Sequence, residues 1–188
     1  MFSLEIVNFD KDLEELDLAR TKGIPALRTA LKVRELDGNE AMGRFYEAIG
    51  TRYFHDTEPL EDRATIEKSL ADAGVDSGRH AEAMADMGTW DALVAEHNEV
   101  VGGHGAFGVP TICLDGGNGP GIFGPVISAV PDTAEDAVEL WRHVSSLTRD
   151  PNFAELKRDR LPPDLPEYLA MNERKTAERE AKEREAQS

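Results

Sequence analysis

The sequence predicts an α/β fold: one short strand, a block of helices, a β-hairpin and a closing helix. Three observations predict it. Residues 24–101 carry apolar side chains at spacings of three and four, the period of a helix face. Residues 108–130 switch to short apolar runs punctuated by Gly, Pro and Asp-Gly, the pattern of a hairpin. Residues 133–148 return to the helical period behind a threonine, a good helix-capping residue.

Each element follows from its own residues. Residues 2–7 (FSLEIV) are short, apolar and partly β-branched, which predicts a strand. An acidic loop runs on to Asp17. Ile24, Leu27, Leu31 and Val33 then share one side of a helix over 24–36, with Pro25 tolerated in its first turn. Met42, Phe45, Tyr46, Ile49 and Tyr53 form the inward stripe of a helix over 39–54. A helix over 62–73 turns Ile66, Leu70 and Ala73 inward and stops at Gly74. Two more helices are expected at 77–87 and 89–101, the second carrying Trp90, Leu93, Val94 and Val101. Strands follow over 108–116 and 121–130, joined by the glycine-rich GGNGPG, which is expected to be a flexible tip. The helix over 133–148 has Thr133 as N-cap, Asp136 three residues on, and Val138, Leu140, Trp141, Val144 and Leu147 as its apolar face. Beyond the proline-rich LPPDLP lies a charged tail. Its Glu178–Lys182 and Glu180–Arg184 spacings suit a solvated helix.

Composition narrows the function. A chain of 188 residues is long enough for one compact domain. Its net charge of −16 repels both a phosphate backbone and an anionic bilayer, so neither nucleic acid nor membrane is expected as partner. No run approaches the roughly 20 apolar residues of a membrane helix, and the acidic N-terminus has no leader pattern, so a cytoplasmic location is expected. One cysteine, Cys113, excludes an intrachain disulfide and is expected to be a small buried strand residue. His97 and His104 are seven apart, which is not the i,i+4 spacing of a helical zinc pair, and no metal site is expected. GGNGPG lacks the Lys-Ser/Thr of a phosphate loop.

The segment 102–126, GGHGAFGVPTICLDGGNGPGIFGPV, carries the chemistry. A proline at the mouth of a strand, then a tight hairpin and a closing helix, resembles the second half of a thioredoxin fold. VAEHNEVVGGHGAFGVPTICLDG resembles the helix, glycine turn and cis-proline strand of the DsbA family. IFGPVISAVP, the helix bearing Leu140-Trp141, and PNFAELKRDRLPP are similar to one branch, the mycothiol-dependent nitroreductases and their DsbA-like relatives. SLEIVN, FYEAIGTRYF and SLADAG resemble that branch in the same order, so the likeness runs over roughly residues 3–166. It implies a cis bond at Pro110, with Val109, Pro110 and Thr111 on the substrate side of a redox site. His97, on the helix before the corner, is assigned to the cleft lining, with an exposed helical histidine as the alternative.

The departure from the family lies in its redox motif. Members open with a strand and a C-P-x-C turn at a helix start, where the helix N-terminus lowers the thiol pKa. This sequence has no such motif, so no catalytic residue is assigned. The expected fold is therefore thioredoxin-like, of DsbA type, with an inserted helical block and without the first strand and C-x-x-C helix start. Its expected division is an incomplete domain over 1–160, with the insertion at about 24–101 and the hairpin and closing helix at 108–149, and a tail over 161–188. A late-assigned gene start and a natural remnant both fit this pattern. Loss of a central strand is expected to leave unpaired ladder groups on an exposed sheet, the route by which an oligomer would form. The resemblance implies a thiol-disulfide or mycothiol-dependent oxidoreductase, inactive as this chain. No tightly bound cofactor is expected, and mycothiol or a similar small thiol is the implied electron source. Its partners would be that thiol, a small electrophile or a protein disulfide. The alternatives are a non-catalytic thioredoxin-like binding module and a relative of the glutathione-dependent isomerases.

Overall fold

A computed structural model describes Ser3, Ile6, residues 23–159, and Glu173, Thr176, Ala177 and Arg184. Five helices come first: α1 (Ile24–Asp37), α2 (Asn39–Phe54), α3 (Arg63–Asp72), α4 (Arg79–Ala85) and α5 (Met87–His104). Strands β1 (Thr111–Cys113) and β2 (Gly121–Phe123) follow, and then helix α6 (Ala134–Arg149). The order agrees with the sequence from residue 24 onward. Among the described residues the protein is mostly helical, with one two-stranded antiparallel sheet. None of the described helices is long and apolar enough to cross a membrane.

The strand predicted over 2–7 is not what its two described residues form. Ser3 belongs to no regular element and Ile6 is helical. The cause is local: the Ser3 hydroxyl oxygen accepts the Ile6 N–H at 3.3 Å, the reach of an N-cap to the third helical residue. The other residues of that segment, and Glu178, Glu180 and Lys182 of the tail pairs, lie outside the described residues.

The core sits inside the helical block. Ala26, Ala30, Val33, Ala41, Phe45, Ile49, Ile66, Leu70, Ala73 and Val75 pack as one cluster, with Met42 and Leu60 at its margin. Small alanines on α1 and α2 let those helices approach closely around Phe45. Tyr46, predicted to face inward, is exposed, because the stripe of α2 narrows to Ala41, Phe45 and Ile49. Polar groups seal the block's edge. The Arg28 guanidinium donates to the carbonyls of Ala83 (2.9 Å) and Asp86 (3.1 Å) and to the Thr89 hydroxyl (2.9 Å), tying α1 to the α4–α5 junction. Lys32 is buried on α1 and reaches Glu35 and Asp86, both at 2.8 Å. These carboxylates hold the ammonium's pKa up, and Lys32 holds that of Asp86 down. Helix α5 ends at Gly105 in the left-handed region (φ 63°), whose N–H returns to Val101 O while the Ala106 N–H returns to Val100 O.

The hairpin is shorter than the sequence predicts, three residues a strand instead of nine or ten, and prolines set both limits. The register pairs Thr111 with Phe123, Ile112 with Ile122 and Cys113 with Gly121. One step further out, Pro110 accepts from Gly124 N (2.8 Å) and has no N–H to return. At the other end Pro120 accepts from Leu114 N (3.0 Å) and likewise returns nothing. The ladder stops at both places.

The hairpin tip is fastened, contrary to the flexible loop expected from its glycines. His104 donates from Nε2 to Gly117 O at 3.1 Å, and both terminal nitrogens of Arg149 reach the Asp115 carboxylate at 2.7 and 2.8 Å. Gly121 leaves room for His104, since a Cβ there would come 2.9 Å from the His104 Cβ. Thr133 caps α6 as predicted, accepting the Asp136 N–H at 3.1 Å. The apolar face of α6 is another matter. Leu140 and Val144 are half-buried, but Val138, Trp141 and Leu147 are exposed, Trp141 by 49%. Val126, Ile127 and Val130 add to this uncovered apolar surface.

Candidate functional site

The corner between α5 and β1 collects three of the four residues that the sequence singles out. The Val109–Pro110 bond is cis, and so is Gly124–Pro125 on the opposite arm. Val109 and Pro110 are exposed and Thr111 is half-buried. Three contacts fix the corner. The Thr111 hydroxyl donates to Gly108 O at 2.8 Å, the Pro110 carbonyl accepts from Gly124, and the Phe107 ring stacks on Phe123 with centroids 4.7 Å apart.

Antiparallel alternation decides which backbone groups face out. Gly124→Pro110 and Leu114→Pro120 are hydrogen-bonded positions, so Ile112↔Ile122 between them is one too. The intervening Thr111 and Cys113 therefore turn their N–H and C=O toward the outer edge of β1. That edge, beside exposed Val109 and Pro110, presents extended backbone to anything laid along it. No charged side chain occurs from Gly105 to Leu114, so the corner is uncharged in a strongly acidic chain.

Cys113 is half-buried on β1. Burial pushes its thiol pKa up, which keeps it protonated at neutral pH and a weak nucleophile. His97 is buried, unlike Val109 and Pro110. It is 3% exposed within α5, and its Nδ1 accepts the backbone N–H of Ser3, itself 1% exposed, at 3.1 Å. Burial lowers its pKa, consistent with a neutral ring holding its proton on Nε2. The exposed helical histidine offered as the alternative does not describe it.

A cleft of about 390 Å³ lies between α1 and the start of α5, lined by Leu31, Arg34, Glu35, Asp86, Gly88, Thr89 and Ala92. Its charged groups already have partners: Asp86 binds Lys32 and the Gly88 N–H, and Arg34 pairs with Glu96.

The second proline corner and the Phe107–Phe123 stack are absent from the sequence reading, although a signal existed. Phe-Gly-Val-Pro at 107–110 and Phe-Gly-Pro at 123–125 are near-repeats, the first leading into β1 and the second leaving β2 at the same end of the hairpin. Ser3 gave a weaker signal, a capping residue ahead of an apolar pair.

Residues 1–158 match the protein family described as Rv2466c-like, mycothiol-dependent nitroreductase Rv2466c. The chain is also similar to the uncharacterized protein Rv2286c of Mycobacterium tuberculosis (strain ATCC 25618 / H37Rv). The two are 34% identical over 128 residues, which cover 66% of this chain and 52% of that protein. The chain thus spans about half the length of the curated relative it matches.

Proposed function

The chain belongs to the Rv2466c-like, mycothiol-dependent nitroreductase family, and on that footing we propose that it supplies the acceptor-side wall of a thioredoxin-like, DsbA-type oxidoreductase site. Val109, Pro110 and Thr111 form that wall. The observation that carries the reading is the outer edge of β1 at Thr111, set beside an exposed and uncharged Val109–Pro110 corner. A small thiol or an extended substrate laid there would pair with the backbone of Thr111 and pack on Val109. His97, buried in α5, has no part in the wall.

The electron count limits what this chain does by itself. Reducing an acceptor with thiols oxidises two thiols to one disulfide and delivers two electrons and two protons to the acceptor. A chain with one cysteine cannot close that disulfide internally. Cys113 is also a poor attacking group, because burial holds its thiol protonated. Mycothiol would supply the electrons when bound, and the uncharged corner with its outward backbone groups fits such a thiol. The chain itself binds and orients.

The test is a turnover assay on the purified chain with mycothiol and a nitroaromatic acceptor. Reduction no faster than mycothiol alone is expected. Turnover above that rate contradicts the reading, and its loss in Cys113→Ser would place the chemistry on that thiol. The uncovered face of α6 favours a second reading, a thioredoxin-like module that binds another protein. Under it, Trp141→Ala abolishes association while changes at Val109 do not.

A further inference from the structure

We propose that Phe107 is a stacking platform for a planar aromatic ring that carries no negative charge, and so sets the substrate class that the corner accepts. The inference rests on the acceptor-wall reading above. Phe107 is 69% exposed, yet its ring is held. It lies nearly parallel to Phe123, with centroids 4.7 Å apart and 28° between the planes. Phe123 is braced in turn against Gly108, where an added Cβ would come 3.2 Å from Phe123 Cε2. Gly108 is tied by its carbonyl to the Thr111 hydroxyl. One face of the Phe107 ring is therefore used inside the protein and the other is presented to solvent on a fixed mount. A rigid aromatic side chain loses little conformational entropy when a second ring stacks on it.

The surroundings select the occupant. Val109, 58% exposed, extends the apolar surface from Phe107 to Pro110. With no charged side chain from Gly105 to Leu114, the corner offers a charged ring no ion-pair partner, and the net charge of −16 disfavours an anionic one. An uncharged ring extends the Phe123–Phe107 stack by one member and places its substituents over Val109 and Pro110. Phe107 acts as a positioning residue, since the reacting atoms would lie beyond it.

The experiment titrates the ¹⁵N-labelled full chain with three uncharged probes: 4-nitrobenzamide, benzamide and nitroethane. Both ring probes are expected to move the amide signals of Phe107, Gly108, Val109 and Thr111. Phe107→Ala should weaken both about 2- to 12-fold, the range of an aromatic pair contribution, and Phe107→Tyr should restore binding to within about twofold. Unchanged signals from Ile49 and Ile66 in the core establish that Phe107→Ala is folded. Ring probes that leave the corner unmoved, or that bind Phe107→Ala as tightly as the parent, overturn the proposal. Nitroethane moving the corner as strongly as the rings also overturns it, while leaving the acceptor-wall reading in place. Equal, Phe107-dependent binding of benzamide and 4-nitrobenzamide upholds the platform, because the ring and not the nitro group is then what the corner holds.

Discussion

The helical block and the hairpin with its closing helix answer the same demand, burial of apolar side chains, in opposite ways. In the block, Phe45, Ile66, Leu70 and Leu93 are fully enclosed, and Arg28 and Lys32 spend their charges on stitching helices together. In the hairpin and α6, the large apolar groups Phe107, Val109, Ile127, Val130 and Trp141 stay in contact with water. Polar fastenings hold this region, Asp115–Arg149 and His104–Gly117, beside the buried Leu114. The difference teaches that the block carries the enclosed core while the second region keeps large apolar side chains at the surface.

The sharpest way to break this comparison is a pair of truncations. Phe45→Ala removes an enclosed ring and should cost about 3–5 kcal/mol in urea unfolding. Trp141→Ala removes a side chain already half in water and should cost well under half of that, about 1 kcal/mol or less. Equal losses would mean that α6 is as much a part of the core as α2.

A smaller effect probes how the hairpin is seated. Gly121→Ala drives a methyl into the side chain of His104, an overpacking worth about 1–3 kcal/mol. The expected damage is confined to the hairpin. Hydrogen exchange at Ile112 and Ile122 should quicken while that at Ile49 and Leu70 is unchanged. Quickening across the block as well would join the two regions into one cooperative unit.

Acid gives the mildest test. Burial holds His80, whose Nδ1 lies 2.9 Å from the Thr29 hydroxyl, and His97 below the ordinary imidazole range. Unfolding raises both pKa values and takes up protons. Their contribution is therefore present above about pH 6.5 and is lost as pH falls below it toward the folded-state values. The urea midpoint should drop between pH 7 and pH 5, and less steeply in His80→Asn and in His97→Asn. Both histidines belong to α4 and α5, so the loss should register in the block. Asp37 and Asp86, whose pKa values are lowered by Arg79 and Lys32, add to it only in stronger acid, below about pH 4.

Helix periods, the Thr133 cap and the proline corner were legible because each is encoded within a few neighbouring residues. The stripe Ile66, Leu70, Ala73 reads directly as an inward face. What was not legible depended on distant partners. FSLEIV has strand composition, but Ser3 caps a helix and hydrogen-bonds to His97, 94 residues away. His97 looked like a surface or cleft residue because nothing near it in sequence shows that Ser3 comes to rest on it. Strand lengths were overestimated because alternation reports apolar runs, whereas Pro110 and Pro120 decide where the ladder can continue. The site corner itself was visible, while its aromatic mount required knowing that residues 107 and 123 lie side by side.

On the proposed reading a small thiol or extended substrate is received at the Val109–Thr111 corner and not on the helical block. The measurement that reaches it most directly is a ¹⁵N shift map of the full chain titrated with mycothiol. Saturable shifts at Val109, Thr111 and Cys113, with residues 24–101 unmoved, are the predicted result. Shifts gathered instead around Arg34, Gly88 and Thr89 in the α1–α5 cleft, or none at the corner at saturating thiol, would contradict it.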